Sequence, residues 1–180
     1  MKFFIVLLLI TLSIEATSFS KSKKILLKKI YHDNMFTFYC SNPYEIKQVK
    51  GKEKTLIIQD EEYYSPRKLF YNSGKINIRA QRVEWEHVMP AHNFGKHLTC
   101  WKQGGRKACR KDKAFKSMEA DMHNLVPAIG EVNGDRSNYR FGVNVPKIEQ
   151  YGQCKFQVDF KAKRAYPKED IRGDIARIYF

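Results

Sequence analysis

Arg82 to Gly95 reads RVEWEHVMPAHNFG, and how this stretch starts and stops decides how the chain folds. Arg82, Val83, Glu84 and Trp85 carry the β-branched and aromatic pattern of a strand, and Pro90 ends it two residues after Val88. Glu86 and His87 therefore stand at a strand end. A carboxylate beside an imidazole at so abrupt an end can hold a hard cation and accept a proton in one place. That is half of a hydrolytic site.

The neighbouring segments supply a frame for this strand. His97 to Lys116 reads as a loop-rich excursion and is the densest basic region of the chain, with Lys102, Arg106, Lys107, Arg110, Lys111, Lys113 and Lys116. Met122 to Val126 reads as a second short strand stopped by Pro127, and Ala128 to Ser137 as a short helix despite Gly130 and Gly134. The order is strand, long loop, strand, helix. Upstream, Ile25, Leu26, Ile30 and Tyr31 fall near helical spacing, predicting an amphipathic helix over Lys21 to Asp33; Met35 to Tyr39 then packs its end. Tyr44 to Val49, Thr55 to Gln59 and Ile76 to Arg79 are strand-like runs, divided by turn signals at Gly51 and at Asn72, Ser73 and Gly74. Gln157 to Ala162 suits a further strand. Asp170 to Tyr179 suits a closing helix with Ile171, Ile175 and Ile178 facing the core. With 180 residues, 43% of them apolar, the chain can bury one core of ordinary size, so the expected class is α+β in a single mixed domain.

Residues 1 to 20 are expected to stand outside that domain, which then covers 21 to 180. Lys2, the apolar run from Phe3 to Ile14 and the small residues after it have the layout of a secretory signal peptide, with cleavage after Ala16 or Ser20. An apolar run of this length is too short for a bilayer, which needs roughly twenty residues. Removing residues 1 to 20 takes away one lysine and one glutamate, Lys2 and Glu15, and leaves the formal charge at +14. Such a field draws polyanions, nucleic acid first among them, with anionic membranes and acidic polysaccharides as the other classes.

An exported chain with Cys40, Cys100, Cys109 and Cys154 reads as two disulfides. Three pairings exist. Cys100 with Cys109 is favoured because Gly104 and Gly105 let the short loop turn back, and Cys40 with Cys154 then follows by elimination. A zinc site on Cys100 and Cys109 lacks the close C-x-x-C spacing, and His87, His92 and His97 at five-residue intervals match no standard zinc site.

Hydrolysing a phosphodiester calls for a base, a cation on the phosphate and a group for the developing charge. His87 is the natural base, with an unperturbed pKa near 6.5. An isolated histidine more often satisfies a core hydrogen bond, but Glu86 and the cationic surroundings favour chemistry. Glu119, Asp121 and His123 receive no chemical role, since carboxylates just before a strand more often cap or face solvent.

At this point whole blocks of the sequence come into play. VEWEHVMPAHNFG, CWKQGGRKACRK, MEADMHNLVPAIGEVNGDRSN, YGQCKFQVDFKAKRAYP and RGDIARIYF resemble the bacterial endonuclease I family over Met35 to Phe180, in matching spacing. These are periplasmic or secreted non-specific nucleases of the ββα-metal, or His-Me finger, type. The resemblance implies that His87 is the general base and Glu86 a magnesium ligand, with Asn133 the second protein ligand, on the helix of the finger. It implies that Arg106 contacts the phosphate and that Asn124, on the second strand, steadies the segment carrying the base. Mg²⁺ is the implied cofactor, with Mn²⁺ or Ca²⁺ as substitutes. DNA, and RNA with it, are the implied substrates, cut without sequence preference to leave 5′-phosphate ends by a monomer free of the membrane once its signal is removed. Lys107, Arg110, Lys111, Arg136 and Arg140 are expected to line the route to the site and hold backbone phosphates, giving a steep salt dependence. Two departures stand out: family members commonly carry more cysteines before the WEHV block, and they commonly continue past the segment that here ends at Phe180. The alternative class is a catalytically impaired, shortened nuclease-like protein that only binds polyanions; a third is a membrane-active basic secreted protein. Glu86, His87, Arg106 and Asn133 standing together in register favour the enzyme.

Overall fold

The computed structural model describes residues 18 to 180 apart from 59, 61 and 145 to 147, so the expected signal segment lies largely outside the described residues. The fold is α+β in one small domain. At its centre, β3 (Val83–His87) pairs antiparallel with β4 (Leu125–Ile129), from Val83 opposite Ile129 to His87 opposite Leu125. Helix α6 (Gly130–Arg136) follows β4 with no intervening loop, so strand, strand and helix form one finger.

Around this finger lie two smaller sheets. β1 (Tyr44–Val49) and β2 (Lys52–Ile57) make a hairpin whose turn residues Lys50 and Gly51 both take positive φ, 52° and 71°, as a tight hairpin turn requires. β5 (Arg140–Phe141) runs parallel to β7 (Arg164–Tyr166), which pairs antiparallel with β6 (Gln157–Asp159). The core runs between the finger and the three-stranded sheet and includes Tyr39, Val88, Ile129, Tyr151, Phe156 and Val158. α7 (Arg172–Tyr179) closes it with Ile175, after a 3₁₀ turn that buries Ile171. Cys40–Cys154 and Cys100–Cys109 are the two disulfides found.

Several local expectations change. The helix expected from Lys21 begins earlier: α1 (Phe19–Ile25) is capped by the Ser18 hydroxyl and continues as a π turn over Leu26–Ile30. Lys21, the expected first residue of the domain, thus falls inside α1. Ile76 to Arg79 is not a strand; Ile78–Gln81 forms a 3₁₀ turn capped by Asn77. The expected Thr55 to Gln59 strand is β2, shifted towards the turn, and Gln59 lies outside the described residues. His97 to Lys116 is helical rather than looped, with α2 (Ala91–Gly95) leading into α3 (Thr99–Lys102), α4 (Gly105–Ala108) and α5 (Lys113–Glu119). Pro127 does not stop the second strand but sits within β4 opposite Trp85. A two-stranded sheet consists of edge strands only, and edges are where proline is tolerated.

Candidate active site

The strand end predicted from RVEWEHVMP is real, and its two polar residues point into protein rather than solvent: Glu86 and His87 are each 5% exposed. The His87 Nε2 lies 2.9 Å from the Glu119 carbonyl oxygen. A carbonyl only accepts, so Nε2 carries the proton and Nδ1 is left as the basic nitrogen of the neutral ring. Burial, joined by the Arg106 charge, pulls the His87 pKa below its usual value, against the hydrogen bond to Glu119. Phe19 from α1 lies against one side of the ring at 5.1 Å between centroids and Phe94 against it edge-on at 5.9 Å.

Glu86 is held by Tyr39 and Arg136. The Tyr39 hydroxyl (3.1 Å) and Arg136 Nη1 (3.0 Å) both donate to Oε1, so neither bond occupies Oε2. Burial pushes the carboxyl up to about 7, against the pull of the Arg136 charge. Arg136 itself is fully enclosed, and its Nη groups also donate to the carbonyls of His87 and Val88. The expectation that Arg136 meets phosphate on the surface therefore gives way: its guanidinium clamps the end of β3 from beneath. An arginine can do this because its planar fork spans a carboxylate and adjacent carbonyls at once.

Asn124 bonds across to the residues just after the strand. Its Oδ1 accepts from Met89 N (2.7 Å) and its Nδ2 donates to the Met89 carbonyl (3.0 Å), while its own carbonyl accepts from Val88 N (3.1 Å). The turn carrying the chain away from His87 is thereby tied to the start of β4.

Arg106 and Asn133 line one cleft of about 420 Å³ with Glu86 and His87. Arg106 Nε donates to Glu119 Oε1 at 2.7 Å, leaving the other guanidinium N–H groups to a half-exposed side chain. Glu119 thus touches the site twice, through its carbonyl at His87 and its carboxylate at Arg106. Sequence reasoning passed it over, although the rule applied to its neighbour was sound: Asp121 does cap the next turn, accepting from His123 N. Lys107, Arg110 and Lys111 are exposed on the helical segment beside Arg106, which the Cys100–Cys109 bridge closes into a compact loop. Arg140 is exposed on another cleft, beside Phe141 and Tyr179, and does not line that of His87.

Among the described residues no group of three or more His, Cys, Asp or Glu is arranged as a metal site. A cation in this cleft would meet two protein oxygens, a Glu86 carboxylate oxygen and the Asn133 amide oxygen. The Asn133 Nδ2 donates to Glu84 Oε2 at 3.1 Å, and because a carboxylate only accepts, Oδ1 is the atom turned away from Glu84. Two hard oxygens with room for water suit a small hard ion that dehydrates reluctantly. The residues fit Mg²⁺.

The model of the Endonuclease I family matches residues 18–180. The chain belongs to the endonuclease I family. Among its relatives, an extracellular deoxyribonuclease of Aeromonas hydrophila is 45% identical over 95% of this chain and 70% of its own length. A periplasmic deoxyribonuclease of the same organism is 48% identical over 92% of this chain and 65% of its own length. Endonuclease-1 of Buchnera aphidicola subsp. Acyrthosiphon pisum (strain APS) is 46% identical over 87% of this chain. The chain spans 58% of that last relative. The match of this endonuclease I member begins at Ser18, the residue that caps α1. No helix among the described residues is long and apolar enough to cross a membrane.

Proposed function

We propose that this protein is an exported, Mg²⁺-dependent, non-specific endonuclease that hydrolyses phosphodiester bonds of DNA, and of RNA, leaving 5′-phosphate ends. The observation that carries this reading is the basic Nδ1 of His87, set by the Glu119 carbonyl, in one cleft with Glu86, Arg106 and Asn133. The names of the extracellular and periplasmic deoxyribonucleases support DNA as substrate and export as the route, and two disulfides with no free cysteine suit an oxidising compartment.

In this reading His87 Nδ1 takes a proton from a water molecule as the water oxygen attacks phosphorus. The P–O3′ bond breaks, the 3′ oxygen leaves and takes a proton from solvent, and the phosphate remains on the 5′ side. Glu86 and Asn133 would hold Mg²⁺, which supplies Lewis acidity at the phosphate and at the leaving oxygen. Arg106 faces the phosphate with the N–H groups that Glu119 leaves unused, and Glu119 limits its swing. Lys107, Arg110 and Lys111 hold backbone phosphates without reading bases.

Plasmid digestion by the purified protein tests this. Supercoiled DNA is expected to be nicked and linearised with Mg²⁺ and left intact with EDTA, and His87→Ala to cut slower by about 100-fold or more. Equal rates for His87→Ala and wild type would remove His87 as the base. Wild-type protein that binds the plasmid without ever cutting it would make this a binding protein instead.

A further inference from the structure

Glu84 stands two residues before Glu86, on the same face of β3. It lies in a groove lined by Lys23, Lys24, Arg79, Arg82 and Arg106, where a carboxylate opposes any polyanion. Its surroundings are built for it nonetheless. Arg79 donates to it through Nε (3.0 Å) and Nη2 (2.6 Å), and Arg82 through Nε (3.0 Å) and Nη2 (2.6 Å). The fifth hydrogen bond comes from Asn133 Nδ2.

The glycines on either side of Asn133 make room for this arrangement. A Cβ at Gly130 would meet the Arg79 carbonyl oxygen at 2.8 Å and Glu84 Oε1 at 3.0 Å, and a Cβ at Gly134 would run into the Arg79 guanidinium. The ion pair thus lies directly against α6 at the two positions flanking Asn133. Its charge is balanced by arginines, so what remains distinctive is its direction: a carboxylate can only accept, and it receives the amide nitrogen.

We propose that Glu84, held by Arg79 and Arg82, is a positioning residue that fixes which end of the Asn133 amide faces the divalent ion. The two ends of an asparagine amide are nearly equal in shape, and only the oxygen can ligate a cation. Glu84 takes the nitrogen and so presents the oxygen. This inference rests on the reading of Glu86 and Asn133 as the protein ligands of the ion.

The test is Mn²⁺ affinity, read by electron paramagnetic resonance on DNA-free protein, for wild type, Glu84→Gln, Asn133→Ala, their combination, and the exchanged pair Glu84→Gln with Asn133→Asp. Glu84→Gln is expected to bind Mn²⁺ about 10- to 100-fold more weakly, the usual cost of removing an outer partner of a ligand. In the Asn133→Ala background the same change is expected to do nothing further, because no amide is left to orient. The exchanged pair is expected to regain most of the affinity, since the amide introduced at position 84 can donate to the carboxylate introduced at position 133, and either end of a carboxylate is an oxygen. Wild-type affinity for Glu84→Gln overturns the proposal. So does an equal loss in the presence and absence of the Asn133 side chain, which would mark a charge effect at a distance. Should Glu84→Gln fail to fold, an exchanged pair that folds yet binds no better than Asn133→Ala overturns it as well. If Asn133→Ala alone leaves affinity unchanged, the ligand assignment itself fails, a result distinct from failure of the positioning role.

Discussion

His87 owes its usable nitrogen to a backbone carbonyl. Because the Glu119 carbonyl fixes the tautomer, no charged side chain is needed to leave Nδ1 unprotonated, as the proposed role of base requires, and the carboxylate of Glu119 is free to hold Arg106. Arg136 is the residue on which the pair at the strand end depends most. Arg136→Met would leave Glu86 enclosed without its cation, and loss of one partner of a buried pair costs about 3–5 kcal/mol. Urea unfolding of the metal-free variant measures this, and a loss below about 1 kcal/mol would rule the clamp out. The pH trend has a defined sign. Glu86 holds its proton more tightly in the folded state, with a pKa raised to about 7 from an ordinary carboxyl value, so folding is penalised as pH rises through that window. Without Arg136 the penalty extends higher, and the variant is expected to lose more stability at pH 8 than at pH 6. None of this was legible from the sequence, where Arg136 reads as one more cation in GDRS. A buried guanidinium is recognisable only once the carbonyls of His87 and Val88 are brought beside it.

At the scale of elements, α6 shows how one sequence block divides its labour. In GEVNGDRSN, Glu131 accepts from Tyr64 OH, Asn77 Nδ2 and the backbone N–H groups of Arg67 and Lys68, tying residues 64 to 77 to the helix. Asp135 pairs with Arg67 and accepts from Tyr151 OH. Asn133, by contrast, lines the cleft of Glu86, His87 and Arg106. Gly130→Ala presses on the Arg79 backbone and is expected to cost about 1–3 kcal/mol. Gly134→Ala presses on the movable end of the Arg79 side chain, and the gain in helix propensity of about 1 kcal/mol offsets much of its cost. Chemical denaturation should rank Gly130→Ala as the more damaging; the reverse order would contradict this packing. α1 carries a different prediction. The Ser22 hydroxyl donates to the Ala120 carbonyl at 2.7 Å and Leu26 is buried, so the helix holds Phe19 against His87. Phe19→Ala lets water reach the ring and weakens the desolvation that holds its pKa down, so the His87 pKa should rise. Proton NMR titration of the metal-free protein checks the direction, and an unchanged or lower midpoint would discount Phe19 as a wall. Cleavage after Ala16 would leave Phe19 in place, whereas cleavage after Ser20 would remove it.

Across the whole molecule the disulfides differ in reach. Cys40–Cys154 links residues 114 apart and fastens the segment before β1 to the far sheet; Cys100–Cys109 spans only 9. On chain entropy the long closure contributes about 5 kcal/mol and the short one about 2.7 kcal/mol. Replacing both cysteines of the long bridge by serine is therefore expected to lower the thermal midpoint more than replacing both of the short one. Calorimetry giving the opposite order would show that native-state strain or denatured-state structure governs instead.

The sequence by itself determined the order of the finger, strand, strand and helix, because alternation, proline and helix length are local effects of sterics and periodicity. It placed the second strand over Met122 to Val126, where Met122–Asn124 form a 3₁₀ turn, and began the helix at Ala128, which lies in β4. It also singled out Glu86, His87, Arg106 and Asn133, through the blocks that resemble the endonuclease I family. It misjudged His97 to Lys116, since helices of four residues are too short to show a period, and stopped the second strand at Pro127, since an edge strand accepts a proline that a central strand would not. Only the tertiary structure decided that Phe19 walls the histidine, that Glu119 fixes its tautomer, that Arg136 lies beneath it and that Glu84 receives the Asn133 amide nitrogen. Each of those is a contact across long stretches of chain or a choice of which end of a group faces which partner, and neither is encoded in local spacing.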